Sequence, residues 1–281
     1  MSLRTTADLV TSARGRGAGV PAFNVITLEH AEAIATAAER VGLPVILQVS
    51  ENAVRFHGAL APIAAACASV AAASTAEIAL HLDHVEDFAL LEQAADCGFS
   101  SAMFDAGALL YDANVEATRR AVRWAHEHGL WLEAELGYVG GKENSPVSAH
   151  AKGVRTDPDE ATRYVADTGV DALAVAVGSS HAMVEQTAQL DLALIARLAE
   201  ALDVPLVLHG SSGVPLDQLS AAVSAGMRKV NVGTALNIAY TQAIREHLAG
   251  SDKVDPRPYL KAARSAIVDA ITPTIIAIAR T

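Results

Sequence analysis

With 281 residues, 51% of them apolar but only 4% aromatic, the chain can bury a core large enough to need no disulfide staples. A net charge of −11, without a basic stripe or basic–aromatic interleaving, argues against nucleic acid and anionic membrane as partners. There is no secretory-type apolar N-terminal region and no uncharged apolar run of roughly 18 residues, so a cytoplasmic setting is expected, with Cys67 and Cys97 as small core residues.

Strand-like and helix-like runs alternate. VPAFNV (20–25) is the first candidate strand, followed by the amphipathic stretch LEHAEAIATAAERVG and the second strand, PVILQVS (44–50). IALHLD (78–83) and SSAMFDA (100–106) are the third and fourth, and NVEATRRAVRWAHEHG then leads into the fifth, LWLEAEL (130–136). The longest irregular piece, residues 137–158, has the length of a functional loop or lid, with Gly140 and Gly141 as its hinge. DALAVAV (171–177), VPLVLHG (204–210) and RKVNVGT (228–234) complete eight strands. Gly42, Gly98, Gly129, Gly169 and Gly226 stand where helices should end. Eight strands, each followed by a helix, predict an α/β fold, a (β/α)8 TIM barrel formed by a single domain over 1–281. An open doubly wound sheet is the alternative, since periodicity does not reveal closure. Residues from about 256 to 281 read as extra C-terminal helical structure beyond the barrel, suited to an interface.

In such a barrel the active site lies at the C-terminal ends of the strands. Those ends carry Asn24, Ser50, Asp83 with His84, Asp105, Glu135, His209 and Asn231, and His181 follows strand six. His30, His57, His126, His128, His150 and His247 lie in helices or loops away from this rim and read as structural. His81, two residues below Asp83 on the same strand face, reads as a buttress. His84, His181 and His209 share one mouth, and three neutral imidazoles with an open position form the pattern of a catalytic divalent metal, zinc above all. Separate hydrogen-bonded structural roles are the competing reading. Asp83 and His84 are neighbours, so strand alternation would send them to opposite faces; both can enter one site only if the strand ends or twists there.

HGSSGVP (209–215) and NVGT (231–234) follow strands seven and eight, where barrels often hold a phosphate at a helix N-terminus. Gly210 and Gly213 let the backbone approach an anion, and Ser211, Ser212 and Thr234 add donors. Two ordinary capped turns are the plainer alternative. The lysines are Lys142, Lys152, Lys229, Lys253 and Lys261; none ends a strand, Lys229 opening strand eight at its far end, which disfavours a Schiff-base lysine.

VPAFNV, LHLDH, SAMFD, EAELG, GG-x-E, DALAVAVG-x-x-H, PLVLHG-x-S and KVN occur in the order found in the class II, metal-dependent ketose-bisphosphate aldolases. The chain resembles that family's short branch, which includes tagatose-1,6-bisphosphate aldolase. The resemblance implies one catalytic Zn2+ on His84, His181 and His209, a monovalent cation as a further candidate, and Asp105 and Glu135 as positions for a second or displaced metal. It implies Asp83 as the acid/base at the C4 hydroxyl and Glu143 as the carrier of the carbon-bound proton. Gly210, Ser211 and Ser212, with Asn231, Val232, Gly233 and Thr234, would cradle the dihydroxyacetone-phosphate phosphate, assisted by Asn24, Ser50 and Ala182. Lys261 stands where relatives carry an Arg that reaches a neighbouring subunit's second phosphate. The expected reaction is reversible aldol cleavage of a fructose- or tagatose-type bisphosphate by a homodimer or homotetramer. A modified ketose monophosphate as substrate, a metal-dependent barrel hydrolase, and a companion arrangement with a non-catalytic subunit are the alternatives; the hydrolase reading lacks the His-x-His pair such barrels carry on strand one.

Overall fold

The computed structural model describes residues 3–137, 155–180 and 185–279. Helix α1 (Thr6–Gly15) precedes strand β1 (Val20–Asn24), α2 (Leu28–Val41), β2 (Val45–Ser50), α3 (Glu51–His57) and α4 (Leu60–Ala73). The chain continues through β3 (Ile78–Val85), α5 (Phe88–Leu91), β4 (Ser101–Phe104), α6 (Tyr111–Glu127) and β5 (Trp131–Leu136). It then forms α7 (Pro158–Thr168), β6 (Ala172–Val175), α8 (Leu192–Ala201), β7 (Leu206–Leu208), α9 (Leu216–Ala225), β8 (Met227–Val232), α10 (Thr234–Ala249) and α11 (Arg257–Ala279). The eight strands are parallel and close in chain order, β8 pairing with β1, so the barrel prevails over the open sheet. The expected strands all form, most of them a residue or more shorter.

Each strand is buried on both faces, as a barrel wall ringed by helices demands, and Val, Leu, Ile and Ala fill the side toward the helices. Close packing needs small residues at the contacts: a Cβ on Gly226, where α9 turns into β8, would lie 2.3 Å from Ala199 Cβ on α8. The α1 helix, capped by the Thr5 hydroxyl accepting from Asp8 N–H, was not among the sequence-based elements. Its Leu9, Val10 and Ala13 join Ala18, Val20, Ala22, Ile46 and Ala79 in a separate apolar cluster that closes the N-terminal mouth. The C-terminal segment is a single helix woven into the ring. In α11 the residues Ala263, Ile267, Ile271, Ile275 and Ile278 form a buried stripe, and the helix packs on α2, α9, α10 and β1. Its length and apolarity alone would suit a membrane span, but this stripe is spent on the barrel.

Candidate active site

The polar residues of the strand ends converge inside the C-terminal half of the barrel. The twist required at Asp83–His84 is present: His84 has φ +49°, the only positive φ outside glycine among the described residues, and the β3–β4 register shifts between Leu82 and Val85. β3 therefore continues to Val85 with an irregularity where the sequence demanded one, and Asp83 and His84 face the same space. Asp83 is buried; its Oδ2 accepts from Gln48 Nε2 at 3.3 Å and its Oδ1 from Asn231 Nδ2 at 3.4 Å. Burial alone would raise its pKa, but His84, His209 and Lys229 outweigh burial and hold it below the usual carboxylate range, ionised and able to accept a proton.

The His84 and His209 rings meet edge to face, with centroids 4.8 Å apart. Each meets acidic groups. His84 Nδ1 lies 3.0 Å from Asp105 Oδ2, and His209 lies between Glu133 Oε1 (2.8 Å from Nε2) and Glu135 Oε2 (3.0 Å from Nδ1). Burial opposes a charge on His209, yet the contacts with Glu133 and Glu135 push its pKa up to about 10. Below this layer Lys229, fully buried, donates to Glu133 Oε2 and to Asn231 Oδ1, each at 2.8 Å. Lys229 was expected at the far end of its strand, remote from the site. Its long side chain instead runs up the interior and brings the ammonium beneath the rim, where the hydrogen bonds to Glu133 and Asn231 engage it. His81 is the buttress its strand position suggested: Nδ1 meets Ser101 Oγ at 2.8 Å and Nε2 lies 3.5 Å from Lys229 Nζ. Burial first, then Lys229, depresses its pKa to about 3, so it stays neutral.

Ligand atoms of Asp83, His84 and His209 lie within 4.8 Å of one another and could hold a metal ion. The donor set fits a divalent cation. Four carboxylates (Asp83, Asp105, Glu133, Glu135) face three imidazoles, of which His81 stays neutral, and one ammonium, and His209 without a metal retains a proton that a cation would replace. His181, Ala182 and Glu143 lie outside the described residues.

The two expected phosphate loops adjoin. Gly210, at φ +65°, opens a short 3₁₀ turn (Ser211–Gly213); Ser211 Oγ donates to the Asn231 carbonyl, and Ala235 N–H donates to Ser212 Oγ at 3.1 Å. Val232 ends β8 and is buried, and Gly233 precedes Thr234 at the start of α10. A Cβ on Gly233 would sit 2.9 Å from Asn24 Oδ1, so the glycine leaves room for Asn24, which accepts from Gln48 Nε2 at 2.8 Å. Ser50 Oγ accepts from Ala53 N–H at 3.3 Å and caps α3. Lys261 is exposed on α11, in a groove with Glu29, Glu32, Arg257 and Arg264.

Gln48, Glu133 and the upward reach of Lys229 escaped the rim-based reading. A signal for them existed in polar doublets at spacing two within apolar strands: Gln48 with Ser50, His81 with Asp83, Glu133 with Glu135, Lys229 with Asn231. That spacing keeps one inward face polar for two layers, not one.

The chain is thus a parallel barrel whose C-terminal mouth, where barrels of this kind carry their active sites, gathers imidazoles, carboxylates and two glycine-bearing loops. The model of the family described as fructose-bisphosphate aldolase class-II matches residues 4–279, and the chain belongs to that family of aldehyde-lyases. It is 39% identical over 271 residues to a fructose-bisphosphate aldolase of Geobacillus stearothermophilus, covering 95% of this chain and 93% of the relative. It is 38% identical to a probable fructose-bisphosphate aldolase of Bacillus subtilis (strain 168), covering 96% and 95%. Among solved structures, the YdjI aldolase from Escherichia coli K12 superposes with a TM-score of 0.86 at 28% identity, covering 98% of this chain and 97% of that one.

Proposed function

We propose that the chain is a zinc-dependent aldolase that cleaves a ketose bisphosphate of the fructose or tagatose type to dihydroxyacetone phosphate and an aldehyde such as glyceraldehyde 3-phosphate. The observation that carries this reading is the convergence of Asp83, His84 and His209 on one point, with the linked Ser211–Asn231 and Ser212–Ala235 turns as a second polar feature of the same mouth. His84 and His209, joined by His181, would hold the ion. When bound, zinc supplies the electron sink that carbon–carbon cleavage requires, worth several kcal/mol.

Asp83, kept ionised by its cationic neighbours and aimed by Gln48 and Asn231, takes the proton of the C4 hydroxyl in cleavage and returns it in condensation. Glu143 delivers the proton to carbon. The N–H groups at the start of α10 and the Gly210–Ser212 turn, with Ala182, bind the dihydroxyacetone-phosphate phosphate. Asp105 and Glu135, each 3.0 Å from a ligand imidazole, are placed to orient those rings or to take a second or displaced ion. A second copy of the chain would bring Lys261 to the other phosphate, which makes a homo-oligomer part of the proposal.

The test is aldol cleavage by the purified chain, followed as triose phosphate release from each bisphosphate. Chelator is expected to abolish the activity and added zinc to restore it, while borohydride with substrate leaves the enzyme active. Hydrolysis of esters or amides without aldol cleavage would replace this reading with the barrel hydrolase.

A further inference from the structure

The conformation of His84 raises a question that the site residues themselves do not answer. A left-handed backbone at a residue with a full side chain persists only where its surroundings impose it. On the β4 side, the restraint just beyond His84 is the Asp105 N–H donating to the Val85 carbonyl at 2.8 Å. On the β2 side it is a side chain. Glu51, the first residue of α3, is buried, and its Oε2 accepts from Glu86 N–H at 2.7 Å and from Asp87 N–H at 3.2 Å. Arg55, one turn along the same helix, pairs with its Oε1.

The local architecture shows how Glu51 comes to be there. Ser50 lies opposite Asp83 in the β2–β3 register, so the residue after Ser50 stands beside the segment that follows His84. The Ser50 hydroxyl caps α3 through Ala53 N–H, fixing the start of the helix from which Glu51 projects. Two backbone donors that the irregular strand end leaves without a sheet partner thus meet one buried carboxylate, an arrangement of charge-assisted hydrogen bonds.

We infer that Glu51 is a positioning residue for the metal centre: by holding the Glu86 and Asp87 amides it keeps His84 in its left-handed turn, and so keeps the imidazole on the same side as Asp83. The inference rests on the reading of His84 as a metal ligand. Neutralising the carboxylate, as in Glu51→Gln, weakens both hydrogen bonds and turns an amide NH2 either against the two backbone donors or against the Arg55 guanidinium. His84 can then relax toward ordinary strand geometry, which turns its ring away.

The experiment compares wild type, Glu51→Gln, Glu51→Asp and His84→Ala as full-length chains. It measures zinc affinity by competition with a chromogenic chelator, hydrogen exchange of the metal-free proteins across residues 84–90, and their thermal midpoints. Glu51→Gln is expected to lose about 10- to 100-fold in zinc affinity. It should also exchange faster at the Glu86 and Asp87 amides, with a metal-free midpoint close to wild type. Glu51→Asp, which keeps the charge on a shorter arm, should fall between the two and keeps the test open should Glu51→Gln not fold. Zinc affinity equal to wild type in both folded Glu51 variants, or a loss matched by general destabilisation and faster exchange everywhere, would overturn the inference while leaving His84 as a ligand. A wild-type chain that binds zinc no better than His84→Ala would overturn the metal reading itself, and this one with it.

Discussion

The two ends of the barrel interior are made by the same eight strands and have opposite chemistry. At the N-terminal end, Val20, Ala22, Ile46 and Ala79 meet Leu9, Val10 and Ala13 of α1 in a dry apolar plug. At the C-terminal end, His81, Asp83, Glu133, His209, Lys229 and Asn231 are all buried, yet none is apolar. The plug gains stability by removing apolar surface from water. The polar layer must recover the cost of desolvating its charges through mutual contacts, and such layers are weak sources of stability even when fully paired. The contrast assigns stability to one end and chemistry to the other.

The division can be broken most forcefully at Asp83. Asp83→Asn should lower kcat by about 10²- to 10⁴-fold while zinc content stays at the wild-type level, because the acid/base is lost and the imidazoles remain. Metal analysis alongside the assay checks this; loss of zinc would make Asp83 a ligand. In the plug, Ile46→Ala should cost about 2–5 kcal/mol of unfolding free energy, measured by denaturant titration, with zinc affinity unchanged in the folded protein. Glu133→Gln, unlike Ile46→Ala, should weaken zinc binding, by about 10- to 100-fold through the misaligned His209 ring; it also strips the buried Lys229 ammonium of its carboxylate and so should cost about 3–5 kcal/mol of stability as well.

The pH dependence of stability sharpens the contrast further. His209 has a raised pKa, so its contribution is complete below its unfolded value of 6.5 and is lost as pH rises toward about 10. His81 has a depressed pKa, so its contribution is complete above 6.5 and is lost as pH falls toward about 3. These two groups should therefore make the metal-free protein lose stability on either side of about pH 6.5, each by up to about 1.4 kcal/mol per pH unit. Zinc, in replacing the His209 proton, should flatten the alkaline limb; denaturation curves with and without zinc between pH 5 and 9 check it.

Much of the barrel could be read directly from the chain. Apolar runs of strand length between amphipathic stretches, closed by glycines such as Gly42 and Gly169, gave eight strands in their true places, because helix and strand periods are local properties. The polar rim was legible for the same reason: Asn24, Asp83, Asp105, Glu135 and His209 interrupt apolar strands at their ends. Closure was not legible, since the pairing of β1 with β8 joins residues some two hundred positions apart. Nor was α1, whose role depends on an open barrel mouth that only the finished fold creates. Lys229 was misjudged because strand position locates a Cα, whereas four methylenes carry the ammonium up to the layer of Glu133 and Asn231. Glu51 sits on a helix, and its relevance comes from the register between β2 and β3, which no single stretch of sequence displays.

Equilibrium dialysis of the metal-free chain against zinc, with the histidine ring nitrogens followed by NMR, tests the central claim most directly. One ion per chain with slow, specific shifts at His84 and His209, and none bound by His84→Ala or His209→Ala, is the predicted result. Full aldol cleavage by a chain that carries no divalent ion would contradict it.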